Sequence, residues 1–160
     1  MCQSNEVVNI SKDRLNHMIA VARRCEAIGK ILFKYDETRC RELFTMGLIN
    51  DIGYEWGNNR NHNLIGGNLL QNMGYCFAQA IKDHGKTDPE CDTDELFILN
   101  LADMTTDGKG KYVTLTERLE DISERYGEES VQTKDAEKVI TKLRIRLDEF
   151  NNSFAESLKG

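Results

Sequence analysis

The chain is poor in the residues that break helices and in those that staple small folds. One proline, Pro89, occurs in 160 residues, so ring clashes and missing backbone donors seldom interrupt a helix. Strand signals are sparse, and apolar residues recur at three- and four-residue steps from end to end. That periodicity predicts an all-α domain. The five cysteines, Cys2, Cys25, Cys40, Cys76 and Cys91, are odd in number and contain no C-x-x-C pair. Such scatter argues against a disulfide frame and against a zinc-thiolate site, and fits thiols in a reducing cytoplasm. Cys25, Cys40 and Cys76 fall in helical patterns and read as core or near-core residues. No stretch approaches the roughly 18 apolar residues of a membrane span. The start, Met1-Cys2-Gln3-Ser4-Asn5-Glu6, has neither the basic nor the apolar region of a secretory signal. Positive charge is in deficit, with 21 Lys and Arg against 27 Asp and Glu and a net charge of −6. An acidic surface disfavours nucleic acid and anionic membranes as partners. A small phosphate ligand stays compatible, because a bound metal would dominate the local field.

What is present organises into one domain over residues 1–160, with a helical core over about 11–127 and a long C-terminal helix. Ser11 is placed to cap a first helix of about 11–30, with Leu15, Met18, Ile19, Ala22 and Cys25 as its apolar stripe. Asp36 caps a second helix that runs inward through Leu43, Met46 and Ile49 to Asn50. The polar stretch Gly57-Asn58-Asn59-Arg60-Asn61 is a loop. Helices are expected over His62–Gly74 and Tyr75–His84, then from a Thr93 cap through Asp103, then over Leu115–Tyr126. From about Thr133 to Phe154 one amphipathic helix carries Val139, Ile140, Leu143, Leu147 and Phe150 on its apolar side. That stripe must be buried. The reading favours docking on the chain's own core, with a homodimer as the alternative.

Histidine is also scarce, and its placement is informative. The three histidines are His17, His62 and His84. The stretch Met46-Gly47-Leu48-Ile49-Asn50-Asp51-Ile52-Gly53 is an apolar helix end running into a polar doublet and a glycine. His17 lies in a first-helix setting, His62 opens His-x-x-x-Gly, His84 closes the following helix, and Asp103 follows Asn100-Leu101-Ala102. In this order and in these helical contexts, the residues resemble the HD superfamily of metal-dependent phosphohydrolases, with Asn50 where that family has the histidine of its His-Asp doublet. The resemblance covers about residues 11–127.

The resemblance implies an HD-type helical bundle and a two-metal site. His17, Asn50, Asp51 and Asp103 would surround one ion, and Asp51, His62 and His84 the other. Asp51 would bridge and would be the catalytic residue. Mixed nitrogen and oxygen donors favour iron or manganese, with zinc possible, as one or two ions. The implied activity is attack of metal-activated water on a nucleotide or other small phosphate ester. An amide oxygen is a poorer donor than imidazole, so Asn50 weakens the first site. The alternative is therefore a degenerate HD domain that binds a metal, ligand or partner without catalysis. Lys82, Lys86, Lys109, Lys111, Arg118 and Arg125 are candidate phosphate contacts, with solvated charge the favoured reading of each. Arg118 and Arg125 read first as structural ion-pair partners. Tyr54 and Trp56 are candidates to line a pocket, with packing on the loop the favoured reading.

Overall fold

Most helices begin where the sequence supplies an oxygen for the open N–H groups of the first turn. The computed structural model describes residues 9–157, with side chains as far as 153. Cys2 and residues 1–6 lie outside the described residues, as does the side chain of Phe154. Ser11 caps α1 (Lys12–Ile31) and Asp36 caps α2 (Glu37–Ile49), each accepting from the backbone N–H three residues on. A single 3₁₀ turn, Ile52–Glu55, follows directly on Asp51. Next come α3 (His62–Asn72) and a short α4 (Ala78–Asp83). Thr93 caps α5 (Asp94–Met104). A reciprocal capping box between Thr114 and Glu117 opens α6 (Leu115–Tyr126), and α7 (Val131–Ser157) closes the fold. The described residues contain no strand, only an isolated bridge between Thr106 and Tyr112.

α5 is apolar on nearly every side, and Leu96, Phe97, Ile98, Leu99, Leu101, Ala102 and Met104 are all buried. A helix buried all round belongs at the centre, and α5 touches α1, α2, α4 and α7. α1 and α2 form an antiparallel hairpin across it. α7 lays Ala136, Val139, Ile140 and Leu143 into the core. Its Phe150 ring packs 5.1 Å from Phe33 and 5.9 Å from Phe97. The long helix thus docks on its own chain. No described helix is long and apolar enough to cross a membrane.

Three sequence expectations need correction. Leu15 is 47% exposed; the buried face of α1 runs instead through His17, Met18, Ala20, Val21, Ala22 and Cys25, because the helix is covered on two sides. Cys76 is exposed. It sits in the turn before α4, which starts at Ala78 rather than Tyr75. Gly74, with φ of +74°, ends α3, and Tyr75 N–H returns to the Leu70 carbonyl. The Tyr75 and Phe77 rings then pack edge to face at 5.8 Å, which a regular helix through these residues would not allow.

Removing α7 strips three branched aliphatic side chains from the core, each worth about 1.5–3 kcal/mol of burial. That is of the order of the whole stability of a small domain, about 5–15 kcal/mol. A chain ending at Gly127 is expected to lose its cooperative thermal transition or melt at least 15 °C lower, followed by circular dichroism. Unchanged melting would mean the helix contributes nothing to the core.

Candidate metal centre

Two glycines set the spacing of the site. A Cβ on Gly53 would lie 1.8 Å from the His62 carbonyl oxygen, and one on Gly67 would lie 2.7 Å from the Lys82 Cα. Only glycine lets the turn after Asp51 press against the start of α3, and α3 against α4. These contacts carry Asp51, His62 and His84 to one point from three elements. Gly66-Gly67 is therefore a packing device.

Asp51 is the hub, with 1% of its surface exposed. Its Oδ1 lies 3.3 Å from His62 Nε2 and 3.4 Å from His84 Nε2, and these two nitrogens are 3.3 Å apart. Asn50 Nδ2 donates to the same oxygen at 3.2 Å. Asp51 Oδ2 accepts from Arg14 Nη1 at 2.7 Å and lies 3.7 Å from His17 Nε2. His17 Nε2 reaches Asp103 Oδ1 at 2.9 Å across 86 positions of sequence. All six expected residues thus fall in one connected cluster. The ligand atoms of Asp51, His62 and His84 lie within 4.8 Å of one another, a spacing no other trio of His, Cys, Asp or Glu reaches among the described residues.

The outer contacts fix the imidazoles. His62 Nδ1 faces the Asn58 carbonyl at 3.1 Å, His17 Nδ1 faces the Asp107 carbonyl at 2.7 Å, and His84 Nδ1 faces the Ile81 carbonyl. A carbonyl only accepts, so each Nδ1 carries hydrogen and each Nε2 is turned to the carboxylates. Backbone acceptors of this kind orient metal-binding histidines. When neutral, His62 and His84 aim two lone pairs at each other and at a carboxylate oxygen. Three acceptors that close repel unless a cation, a proton or a metal ion, lies among them. Two imidazoles and one carboxylate fit a first-row divalent ion better than calcium. This trio can hold a metal ion.

Burial disfavours charge on each of these groups, and their partners overcome it. Desolvation would raise the Asp51 carboxyl, but His62 and His84 hold it well below the ordinary carboxylate range. Asp103 is held down likewise by His17. Desolvation would lower the His17 and His84 imidazoles, but Asp103 raises the first and Asp51 the second.

Arg14 is the site residue that the sequence reading missed. It stands three positions before His17, which places both on one face of α1. Its guanidinium lies 4.0 Å over the Tyr54 ring, and that ring stacks on His62 at 4.2 Å. Burial pushes the Tyr54 hydroxyl up to about 12, ahead of any charge effect. The cluster opens on a cleft of about 800 Å³ whose walls include Arg14, Arg60, Lys86, Arg118 and Arg125, together with Val131 and Asp135 of α7. Lys82, Lys109, Lys111 and Trp56 are not among its walls, and Trp56 is 62% exposed. Arg118 and Arg125 both pair with Asp121, as ion-pair partners should. Comparison with known protein families, with curated proteins and with solved structures gives no match to this chain.

The cluster makes stability depend on pH in a defined direction. Raised imidazoles stabilise the metal-free fold fully below their ordinary 6.5, and this is lost as pH rises through their folded values. Depressed carboxyls stabilise above their ordinary 3.8, and this is lost as pH falls through their folded values. Chelator-treated protein is therefore expected to melt highest between those two values and progressively lower toward pH 9. Manganese should restore the loss at pH 8, since metal replaces the departing protons. A melting temperature that climbs from pH 6 to pH 9 without metal would contradict this assignment.

Proposed function

We propose that the chain is an HD-type, metal-dependent phosphohydrolase acting on a nucleotide or other small phosphate ester. One observation carries the reading: a buried pair of imidazoles and a carboxylate, Asp51, His62 and His84, opens on a cleft whose walls carry five cationic side chains beside the carboxylates of Asp88, Asp103 and Asp135. The cleft's volume of about 800 Å³ suits a ligand of mononucleotide size. Anionic substrate fits those walls although the chain as a whole carries −6.

A divalent ion held by the trio, iron or manganese by preference and zinc otherwise, supplies positive charge against phosphoryl oxygens and acidifies water at the site. The chain's own residues do the rest. Arg14 and Arg118 face the phosphoryl group. His17, tied to the Asp107 carbonyl, fixes Asp103 beside the cleft. In hydrolysis the oxygen of water bonds to phosphorus and the phosphorus–ester bond breaks. Its electron pair leaves on the ester oxygen, which takes a proton from solvent, while Asp103 accepts the proton lost by water. The products are an alcohol or shorter phosphate and the hydrated phosphoryl group.

A second reading, a module that binds metal and anion without turnover, is favoured by one specific feature. Asn50 Oδ1 is buried with no hydrogen-bond partner among the described residues, so the doublet is not organised as an imidazole would organise it. Protein purified without chelator, supplied with manganese or ferrous iron, is expected to release phosphate from at least one member of a panel. The panel holds nucleoside mono-, di- and triphosphates and p-nitrophenyl phosphate. Asp51→Ala should bring both metal content and turnover to background. Bound metal without turnover on any of them would leave the binding module, and absence of both would sink the metal site itself.

A further inference from the structure

The two halves of the cluster are built differently, and only one is built for an ion. Around Asp51 Oδ1, two imidazoles present Nε2 with their other nitrogens tied to carbonyls. Around Asp51 Oδ2, the near neighbour is the Arg14 guanidinium at 2.7 Å. Arginine keeps its charge at any pH a protein survives, so a fixed cation already stands where a second ion would bridge. Asn50 is turned the same way. An amide binds metal through oxygen, yet Asn50 presents Nδ2 to Asp51 and leaves its oxygen elsewhere. Both ring nitrogens of His17 are engaged, with the Asp107 carbonyl and with Asp103. Among the described residues, His17, Asp51 and Asp103 do not close to the spacing of the other trio.

We infer that this centre takes one divalent ion, at Asp51, His62 and His84, and that Arg14 stands in for the second ion, holding Asp51 and offering its free N–H groups to a phosphoryl oxygen. The inference rests on the metal-dependent reading above and narrows it. Arg14 is suited to both tasks. Its side chain is 27% exposed and lines the cleft, and its guanidinium carbon lies 4.0 Å over the Tyr54 ring. Among the described residues it donates to Asp51 alone, through one of five N–H groups. A guanidinium between a carboxylate and a phosphoryl oxygen supplies charge without any need for ion uptake. It also presents separate N–H groups, fixed in one plane, to a carboxylate and a phosphoryl oxygen at once, which a lysine cannot do. The amide at Asn50 is then consistent with its surroundings. Beside a permanent cation, a hydrogen-bond donor to Asp51 is needed and a further metal ligand is not.

Manganese titration of chelator-stripped wild-type protein, followed by calorimetry and electron paramagnetic resonance, tests this. One ion per chain with an uncoupled spectrum is expected. Inorganic phosphate added to the manganese form should bind about tenfold or more weakly to Arg14→Gln, and Arg14→Lys should recover only part of that loss. The double variant Arg14→Gln, Asn50→His should admit two spin-coupled ions, since it removes the resident cation and restores the missing donor. Two coupled ions in wild type would overturn the inference and leave the hydrolase reading standing. No bound ion would overturn both. Phosphate affinity unmoved in Arg14→Gln, or a folded double variant that still takes one ion, would also overturn it. Should the double variant fail to fold, wild-type stoichiometry and the two single variants decide.

Discussion

Asp51 is a carboxylate with 1% of its surface exposed, and burying an isolated anion costs several kcal/mol even after relaxation. The fold meets that demand from every direction. Arg14 and His17 come from α1, Asn50 from the end of α2, His62 from the start of α3 and His84 from the end of α4. Four helices therefore converge on one residue. Each partner must itself be positioned, and backbone carbonyls do this for all three histidines. Nothing in a purely structural core calls for such an arrangement, since an apolar group of similar size would be cheaper to bury. The convergence of basic groups on a buried anion, open to a cleft on one side, is what supports the proposed function.

The supporting geometry is backbone geometry. Gly53 and Gly67 bring main chains closer than any Cβ permits, so the distances within the trio are set by rigid contacts rather than by long side chains. The Asp107 carbonyl reaches His17 from a loop whose own carboxylate is tied down by the N–H groups of Lys109 and Lys111. α7 does more than cover the core. Its first turns supply Val131 and Asp135 to the cleft wall, so the helix least covered by the sequence resemblance shapes the cleft beside the trio.

Much of this could be read from the sequence because it depends on local chemistry. The caps Ser11, Asp36 and Thr93 start helices where short polar side chains precede apolar periodicity. The gathering of His17, Asp51, His62, His84 and Asp103 was expected only through the resemblance to the HD superfamily, whose order of motifs they follow. What could not be read depends on tertiary contact. Leu15 had the periodicity of a buried residue but lies beyond the reach of the neighbouring helices. Cys76 followed a helical pattern that the Gly74 turn and the Tyr75–Phe77 pair interrupt. Arg14 carried no motif at all; a basic residue in the first turn of an acidic protein's helix reads as solvated charge. Only the fold shows it lying over Tyr54 against a buried carboxylate. Its spacing of three from His17 was the one available signal, and it gains meaning only once His17 is known to face inward.

Asn50 and Arg14 make sense together. An imidazole at position 50 would add a donor suited to metal beside Asp51, in a place where a guanidinium already sits. The two would compete for one carboxylate oxygen's surroundings, and charge repulsion between a metal ion and Arg14 would weaken both. An amide avoids the conflict. It is neutral, it donates through nitrogen to Asp51 Oδ1, and it leaves Oδ2 to the arginine. The departure at position 50 is therefore poor evidence of decay taken alone. Decay predicts an unfilled gap around the carboxylate, whereas each Asp51 oxygen keeps partners that are charged or hydrogen-bonded. A site that lost an ion by drift would have no reason to hold a guanidinium over an aromatic ring, against the buried carboxylate, in the wall of the cleft.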